Sequence, residues 1–361
     1  MIRKNSARVL TPYRSCNQGD SLAQILKRPY FPLHNGPPPI ACTEDFMILV
    51  AGSANLDFVV RAHHIPAPGE TVLGRAFETF PGGKGANQAV ACARAGGVPT
   101  TLLTAMGTDA FAAPIEASLR EAKVELNVVR VTEQPTGTAF ICVSDDAENA
   151  ITVAPGANLC LQPRHLPHLT GVTHLLMQLE IPLATVTAYA RSARQQGVTV
   201  VLNAAPVQEL PAELLGLVDI LVVNEGELAA LTRHTGSIAQ CLERTPVPTV
   251  VVTLGHHGCC ARIQGALVLQ TAFAINPVDT TAAGDTFCGG LVAALSQGAS
   301  MQQALPLASA AAALACTRLG AQSSIPQAAE VAEFLGQQPT GNAAALDALR
   351  AYCGLPAGSY S

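Results

Sequence analysis

The sequence predicts an α/β fold, a mostly parallel sheet flanked by helices with a small β-sheet beside it, and three observations carry that prediction. From Met47 onward, short apolar runs of strand length alternate with helix-like stretches, the pattern of parallel strands joined by crossover helices. Charged residues make up 13% of the 361 residues, aromatics 4%, and tryptophan is absent. Such a composition suits a sheet buried on both faces under small, closely packed side chains. Two stretches break the alternation with pairs of short strands, which places a second sheet outside the first.

In chain order, Met47–Ala51 reads as a buried strand, Ala86–Ala95 as a small-residue helix and Thr101–Ala105 as another strand. Further strands are expected at His174–Gln178, Thr199–Leu202, Ile220–Val223 and Thr249–Thr253. Helices are expected at Leu183–Gln196 and Ala304–Thr317, with Pro306 tolerated in the first turn of the latter. Phe58–Arg61 with Thr71–Phe80, and Thr136–Ser144 with Asn149–Ala154, supply the smaller sheet, a candidate lid. The second pair closes as a hairpin across Asp145, Asp146, Ala147 and Glu148. Residues 1–46 differ: six Lys/Arg against three Asp/Glu, the run Pro37–Pro38–Pro39 and no sustained period. They read as a disordered extension, with a transit-like segment or a true start at Met47 as its origin. The main domain is drawn over residues 47–345 and a C-terminal tail over 346–361.

A net charge of −5 leaves no basic stripe for nucleic acid. No apolar run approaches the roughly eighteen residues of a membrane span. Eleven cysteines scatter from Cys16 to Cys353 without a C-x-x-C spacing, as expected of small core residues in a reducing cytoplasm. His63–His64 and His256–His257 look like metal pairs, but neighbours on a strand point to opposite faces and chelate poorly.

Five loops carry candidate chemistry. Asp279 to Phe287 reads Asp-Thr-Thr-Ala-Ala-Gly-Asp-Thr-Phe and leads into an apolar helix. Free N–H groups at such a terminus attract anions, phosphate above all, and Asp285 there is either a helix cap or a base beside the phosphate. Gly52-Ser-Ala-Asn-Leu-Asp57 ends the first strand, where ligands of open α/β sheets gather. Asn55 and Asp57 suit vicinal hydroxyls, although both are also common turn formers. Pro81-Gly-Gly-Lys-Gly-Ala-Asn-Gln-Ala89 is not a P-loop, because Glu78 and Gly85 stand where that motif needs glycine and Ser or Thr. Its glycines either admit a ligand close to the backbone or simply open a helix. Asn224-Glu-Gly-Glu227 follows a strand and suits either Mg²⁺ through its water shell or a helix dipole. The turn Thr253-Leu-Gly-His-His-Gly258 follows another strand and is unspecific by itself. A dehydrogenase is excluded, since no G-x-G-x-x-G follows the first strand.

Together and in this order, these segments resemble the ribokinase family of carbohydrate kinases over about Met47 to Pro326. The likeness is closest at Gly82–Gln88, at Asp279–Phe287 and in Thr317-Arg-Leu-Gly-Ala-Gln-Ser-Ser324. The resemblance implies a doubly wound α/β domain whose β-sheet lid also forms a homodimer interface. It implies transfer of the γ-phosphate of ATP to a sugar hydroxyl, O5 in the case of ribose. By position, Asn55, Leu56, Asp57, Gly83, Lys84, Gly85, Asn87 and Glu180 would hold the sugar, and Asp285 would take the hydroxyl proton. Ala282, Ala283 and Gly284 would form the anion hole. Asn224, Thr253, Leu254, Gly255, His256, His257, Gly258 and Ser309, with Ala283 and Gly284, would meet ATP, and Glu227 would serve Mg²⁺. Asp279, Thr281, Ala315, Arg318, Gly320 and Ser324 would surround a monovalent cation, usually K⁺, several through backbone oxygens. Gly226 departs from the family's more frequent Thr, and Ser309 from a larger polar residue that contacts the base. The first 46 residues have no counterpart. The rival readings are a kinase of 2-deoxyribose or another small sugar and, from another class, a non-catalytic sugar-binding regulator.

Overall fold

The computed structural model describes residues 47–146, 148–338 and 343–356. Residues 1–46, and Ala147 of the expected hairpin, lie outside them. Strand β1 (Met47–Ala51) leads into β2 (Asn55–Arg61), β3 (Ala76–Gly82), helix α1 (Lys84–Arg94), β4 (Thr100–Gly107), α2 (Ala112–Glu121) and β5 (Glu125–Val131). There follow β6 (Gly137–Val143), β7 (Asn149–Ala154), β8 (Val172–Met177), α3 (Leu183–Gln195), β9 (Thr199–Asn203), α4 (Ala212–Leu217) and β10 (Ile220–Asn224). The chain continues through α5 (Glu225–Thr232), α6 (Ile238–Glu243), β11 (Thr249–Thr253), β12 (Gly258–Ile263) and β13 (Ala266–Thr271). It closes with α7 (Ala283–Ser296), α8 (Met301–Cys316), α9 (Ala328–Gln337) and α10 (Ala343–Tyr352).

Nine strands form one sheet in the order β13-β12-β11-β10-β9-β8-β1-β4-β5. All neighbours from β11 to β5 pair in parallel, and the β11–β12 and β12–β13 pairs are antiparallel. Successive side chains of a strand point to opposite faces. Accordingly Ile48 and Val50 of β1 join one core with α1, α2, α7, α8 and α9, while Leu49 and Ala51 join another with α3, α4, α5, α6 and α10. Burial on both faces explains why β1, β9, β10 and β11 read as continuous apolar runs. The chain winds from β1 outward through β4 and β5, then returns to β8 on the other side of β1 and proceeds to β13. The carboxyl ends of β1 and β8 therefore flank a topological switch point, where a crevice opens.

The second sheet has four strands in the order β3-β2-β6-β7. Its central strand β2 pairs antiparallel with β3 and parallel with β6, and β6 and β7 form the expected hairpin. The sheet begins closer to the core than the sequence suggests. Asn55 and Asp57 belong to β2 itself, and β3 starts at Ala76 rather than Thr71 and runs on to Gly82. The small sheet is thus joined at both ends of its first hairpin to the loops that flank the switch point.

Three further differences have physical causes. Helix α8 starts at Met301, because Ser300 and Gln303 form a capping box in which the Ser300 N–H donates to Gln303 Oε1 at 2.9 Å. Pro306 consequently lies in the second turn, not the first. The boundary drawn at 345/346 falls inside α10, and Leu349 and Cys353 are buried in the core, so residues up to Cys353 belong to the main domain rather than a tail. Neither histidine pair lies on a strand: His63 and His64 follow β2, and His256 and His257 sit in a 3₁₀ turn with ring centroids 4.0 Å apart. His63 and His64 instead bond Asp145 and Glu70 at 2.8 and 2.7 Å. No cluster of three His, Cys, Asp or Glu suited to a metal occurs among the described residues, and none of the described helices is long and apolar enough to cross a membrane.

Candidate active site

The first turn of α7 lies against α1 at the switch point. Its N-cap is Ala282, held at φ 58°, and no side chain caps the helix. Asp285 is the third helical residue, so the plain N-cap reading does not hold. Its carboxylate instead turns sideways to α1: Asn87 Nδ2 donates to Oδ2 at 3.0 Å and Gln88 Nε2 donates to Oδ1 at 2.9 Å. Gln88 is itself oriented, because Gln178 Nε2 donates to its Oε1 at 2.5 Å and its Nε2 also reaches Asn203 Oδ1 at 3.0 Å. Asn203 in turn donates to the Val222 carbonyl at 3.1 Å. A buried amide relay from the ends of β8 and β9 thus fixes the Asp285 carboxylate and leaves lone pairs free for one more donor.

Of the three residues expected to form the anion hole, Ala283 does not offer a free N–H: it closes a turn onto the Thr280 carbonyl at 3.2 Å. The N–H groups of Gly284 and Asp285 have no backbone partner among the described residues. A methyl group built on Gly284 meets nothing within 4 Å, so the protein's own packing does not demand glycine there.

The glycine-rich segment explains itself by close approach. Gly83, the N-cap of α1, has φ 90°, and a Cβ there would lie 2.7 Å from the Asn55 nitrogen. A Cβ on Gly85 would lie 2.6 Å from the Gly52 carbonyl carbon. The start of α1 therefore presses onto the end of β1, which brings Lys84 into the crevice. Glu180 joins these segments: its Oε2 accepts from Ser53 Oγ at 2.5 Å and from the Lys84 N–H at 3.2 Å. On the other side, Asn158 Nδ2 donates to Asn55 Oδ1 at 2.7 Å, and Asn158 Oδ1 accepts from the Ala54 N–H at 3.0 Å. Asn87 Oδ1 is buried without a partner, an acceptor left free for a further donor.

Charge is concentrated here. Burial, with the carboxylates of Glu180 and Asp285, pushes the Asp57 carboxyl up to about 7. The Asp285 carboxylate, aided by Glu180 and Glu227, outweighs burial and raises the Lys84 ammonium above its ordinary range. Burial raises the Glu227 carboxyl against the opposing pull of Lys84 and its own bond to Asn224. Five ionisable groups from distant segments therefore share one crevice, with a single lysine among four carboxylates. The shifted Asp57, Lys84 and Glu227 make this crevice the candidate functional site.

Asn224 and Glu227 form a capping box at α5, with Glu227 N–H to Asn224 Oδ1 at 2.7 Å and Asn224 N–H to Glu227 Oε2 at 2.8 Å. Glu225 and Glu227 both lie in the first turn of α5, as the helix-dipole reading expects. Thr253 ends β11, Leu254 is buried, and Gly255, His256 and His257 form an accessible turn closed by Gly258 at φ 113°. Ser309 on α8 lies beside β12, its Oγ 3.8 Å from Cys259 Sγ. At the other flank, Asp279 Oδ1 accepts from the N–H and hydroxyl of Thr281 at 2.9 and 2.6 Å, and Oδ2 accepts from the Gly320 N–H at 3.0 Å. Burial is outweighed by these bonds, so the Asp279 carboxyl sits below its usual range. The Arg318 N–H donates to the Ala315 carbonyl at 3.1 Å, and its guanidinium pairs with Glu330. Ser324 is buried, with its hydroxyl on the Ala321 carbonyl at 2.8 Å.

Gln88, Ser53, Asn158, Gln178 and Asn203 are site residues that motif reading did not single out. Gln88 and Ser53 lie within the quoted runs, yet their partners are far away in sequence. Asn158, Gln178 and Asn203 carry no local signal.

Residues 45–328 match the pfkB family carbohydrate kinases. The ribokinase of Haemophilus influenzae is 38% identical over 300 residues, covering 80% of this chain and 98% of the relative. A crystal structure of ribokinase from Thermotoga maritima matches with a TM-score of 0.75 at 36% identity, over 81% of this chain and 99% of that one. The ribokinase of Arabidopsis thaliana complexed with ribose and ATP matches with a TM-score of 0.73 at 33% identity, over the same shares. The chain belongs to the pfkB family of carbohydrate kinases.

Proposed function

We propose that this kinase transfers the γ-phosphoryl group of ATP to O5 of D-ribose, giving D-ribose 5-phosphate and ADP. The observation that carries the reading is the Asp285 carboxylate, gripped by Asn87 and Gln88 beside the two free N–H groups that open α7. Phosphoryl transfer is mostly positioning and charge stabilisation. Asp285 takes the proton of the attacking hydroxyl, while the Gly284 and Asp285 N–H groups and the helix terminus meet charge on the transferring oxygens. Asn55, Asp57, Lys84, Asn87 and Glu180 hold the sugar. Asn87 Oδ1 accepts from a hydroxyl, which fills its unmet bond.

The nucleotide lies over Asn224, the turn from Thr253 to Gly258, and Ser309. Glu227 keeps one carboxylate oxygen outside its capping bond, a hard donor suited to a water of Mg²⁺, which when bound neutralises the ATP phosphates. Asp279, which holds Thr281 and Gly320, would with backbone oxygens of Thr281, Ala315, Arg318, Gly320 and Ser324 supply the oxygen ligands that suit K⁺. The small sheet acts as a lid that excludes water from the crevice. Its strand β2 carries both Asn55 and Asp57, so closure and sugar contact are one movement. Phe77 and Phe140 are exposed on one face of that sheet, and a second copy of the chain covers that face in a homodimer.

ATP-coupled turnover across ribose, 2-deoxyribose, fructose and adenosine, with and without K⁺, tests the reading. Ribose is expected to give the highest kcat/KM, with a rise on adding K⁺. A hydroxyl-pairing site rejects the analogue that lacks the hydroxyl. Equal or better use of 2-deoxyribose would move the assignment to that rival, and ribose binding without turnover would favour the regulator.

A further inference from the structure

Helix α10 lies wholly beyond residue 328, where the match to the family ends. It is nevertheless built into the domain. Leu349 and Cys353 are buried, the Ala239 N–H donates to the Cys353 carbonyl at 3.0 Å, and the thiols of Cys353 and Cys260 on β12 are hydrogen-bonded. This anchoring brings its last residue, Tyr352, between two segments from elsewhere in the chain. The Tyr352 ring stacks on His257 with centroids 3.9 Å apart and planes 24° apart. Its hydroxyl donates to Glu225 Oε2 at 2.8 Å. His257 closes the turn Gly255–His257, and Glu225 opens α5 between Asn224 and Glu227.

We infer that Tyr352 is a positioning residue for the nucleotide, tying the turn Gly255–His257 to the first residue of α5. The inference rests on the proposed placement of ATP over these two segments. The turn Gly255–His257 is closed by its backbone, with the His257 N–H on the Leu254 carbonyl at 3.1 Å and the Leu254 N–H on the Gly258 carbonyl at 2.8 Å, but neither of these bonds ties it to α5. A ring stacked on its last histidine and bonded to Glu225 supplies that tie and fixes the spacing of the two segments. Pre-ordering a binding loop strengthens binding by removing part of its ordering cost. Tyr352 has no contact with Asp285, Asn87, Lys84 or Asp57 among the hydrogen bonds and ring contacts of the described residues, so the effect falls on the nucleotide alone.

The test is calorimetric titration with ADP and Mg²⁺, together with steady-state kinetics, on the full chain and on Tyr352→Phe and Tyr352→Ala. Tyr352→Ala is expected to weaken ADP binding and raise KM for ATP about three- to tenfold, a fraction of what one stacked pair and one hydrogen bond contribute, since the ring acts through the turn. KM for ribose and kcat are expected to stay within about twofold. Tyr352→Phe keeps the ring and is expected to recover most of the affinity. Unchanged ADP affinity in Tyr352→Ala would overturn the inference, as would parallel losses in ribose and ATP binding, which signal a structural role only. If the unaltered chain binds ADP but phosphorylates no sugar, the functional reading fails and the ADP titrations still decide the role of Tyr352. Absence of ADP binding by the unaltered chain would remove both.

Discussion

At the scale of single residues, the chemistry depends on carboxyl groups held in different ways within one crevice. Asp285 is fixed by two amide donors, whereas Asp57 is destabilised as an anion by burial and by its carboxylate neighbours, which lifts it from 3.8 to about 7. The folded chain therefore binds the Asp57 proton more tightly than the unfolded chain. Its contribution to stability falls as pH rises from about 4 to 7 and is flat above that. Sugar binding has the opposite sign, because the ionised form accepts hydroxyl bonds. KM for the sugar is expected to fall as pH rises through 7, and Asp57→Asn is expected to weaken binding and flatten that dependence. A KM independent of pH in the unaltered chain would contradict the role given to Asp57. Lys84, Asn55 and Asp57 were legible in the sequence because each sits in a short run of small residues after a strand, and Asp285 because such a run opens an apolar helix. Gln88 and Asn158 were not, since their roles arise from contacts across 197 and 103 positions of the chain. No local pattern encodes such a contact.

At the scale of elements, the site depends on how closely α1 approaches β1. A Cβ on Gly85 would meet backbone atoms of Gly52 and Ser53 at 2.6 Å, where no flexible side chain can yield. Gly85→Ala is expected to destabilise the fold by about 1–3 kcal/mol, the usual cost of overpacking, and to weaken sugar binding. Urea denaturation showing unchanged stability would contradict the close-approach argument. The strands β1, β4, β8, β9, β10 and β11 could be read from their buried apolar runs, within a residue or two at their ends. Strands β5, β12 and β13 could not. β5 (Glu125–Val131) is a half-buried edge with charges at both faces, and β12 and β13 form an antiparallel hairpin that follows β11 without an intervening helix. A rhythm of alternating strands and helices conceals both. The segment that became α10 read as a tail because its apolar residues are mostly alanines, whose weak signal gains meaning only when Leu349 and Cys353 find the core.

At the scale of the molecule, the strand order determines where chemistry can occur. Reversal of winding at β1 places the ends of β1 and β8 beside each other, and Ser53, Gln178 and Glu180 lie there. The order of strands was not legible from the sequence, because periodicity shows which faces are buried and not which strand lies next to which. The separate four-stranded sheet was legible, since paired short strands interrupt the alternation. Its apolar residues show on both faces: Phe58 stacks on Phe140 with centroids 5.4 Å apart, and Phe77 and Ile151 are 62% and 56% exposed. Light scattering at micromolar concentration is expected to give a dimer, and Phe77→Ser with Phe140→Ser to give a monomer. A monomer in the unaltered chain would contradict the covering of this sheet by a second copy.

The central claim is that the carboxyl group of Asp285 accepts the proton of the sugar hydroxyl as the phosphoryl group arrives at the start of α7. The most direct measurement compares kcat with ribose dissociation constants for the unaltered chain and Asp285→Asn, an amide of the same shape. The account predicts a loss in kcat of about 10²- to 10⁴-fold, with ribose affinity within a few-fold. Turnover near that of the unaltered chain would contradict it.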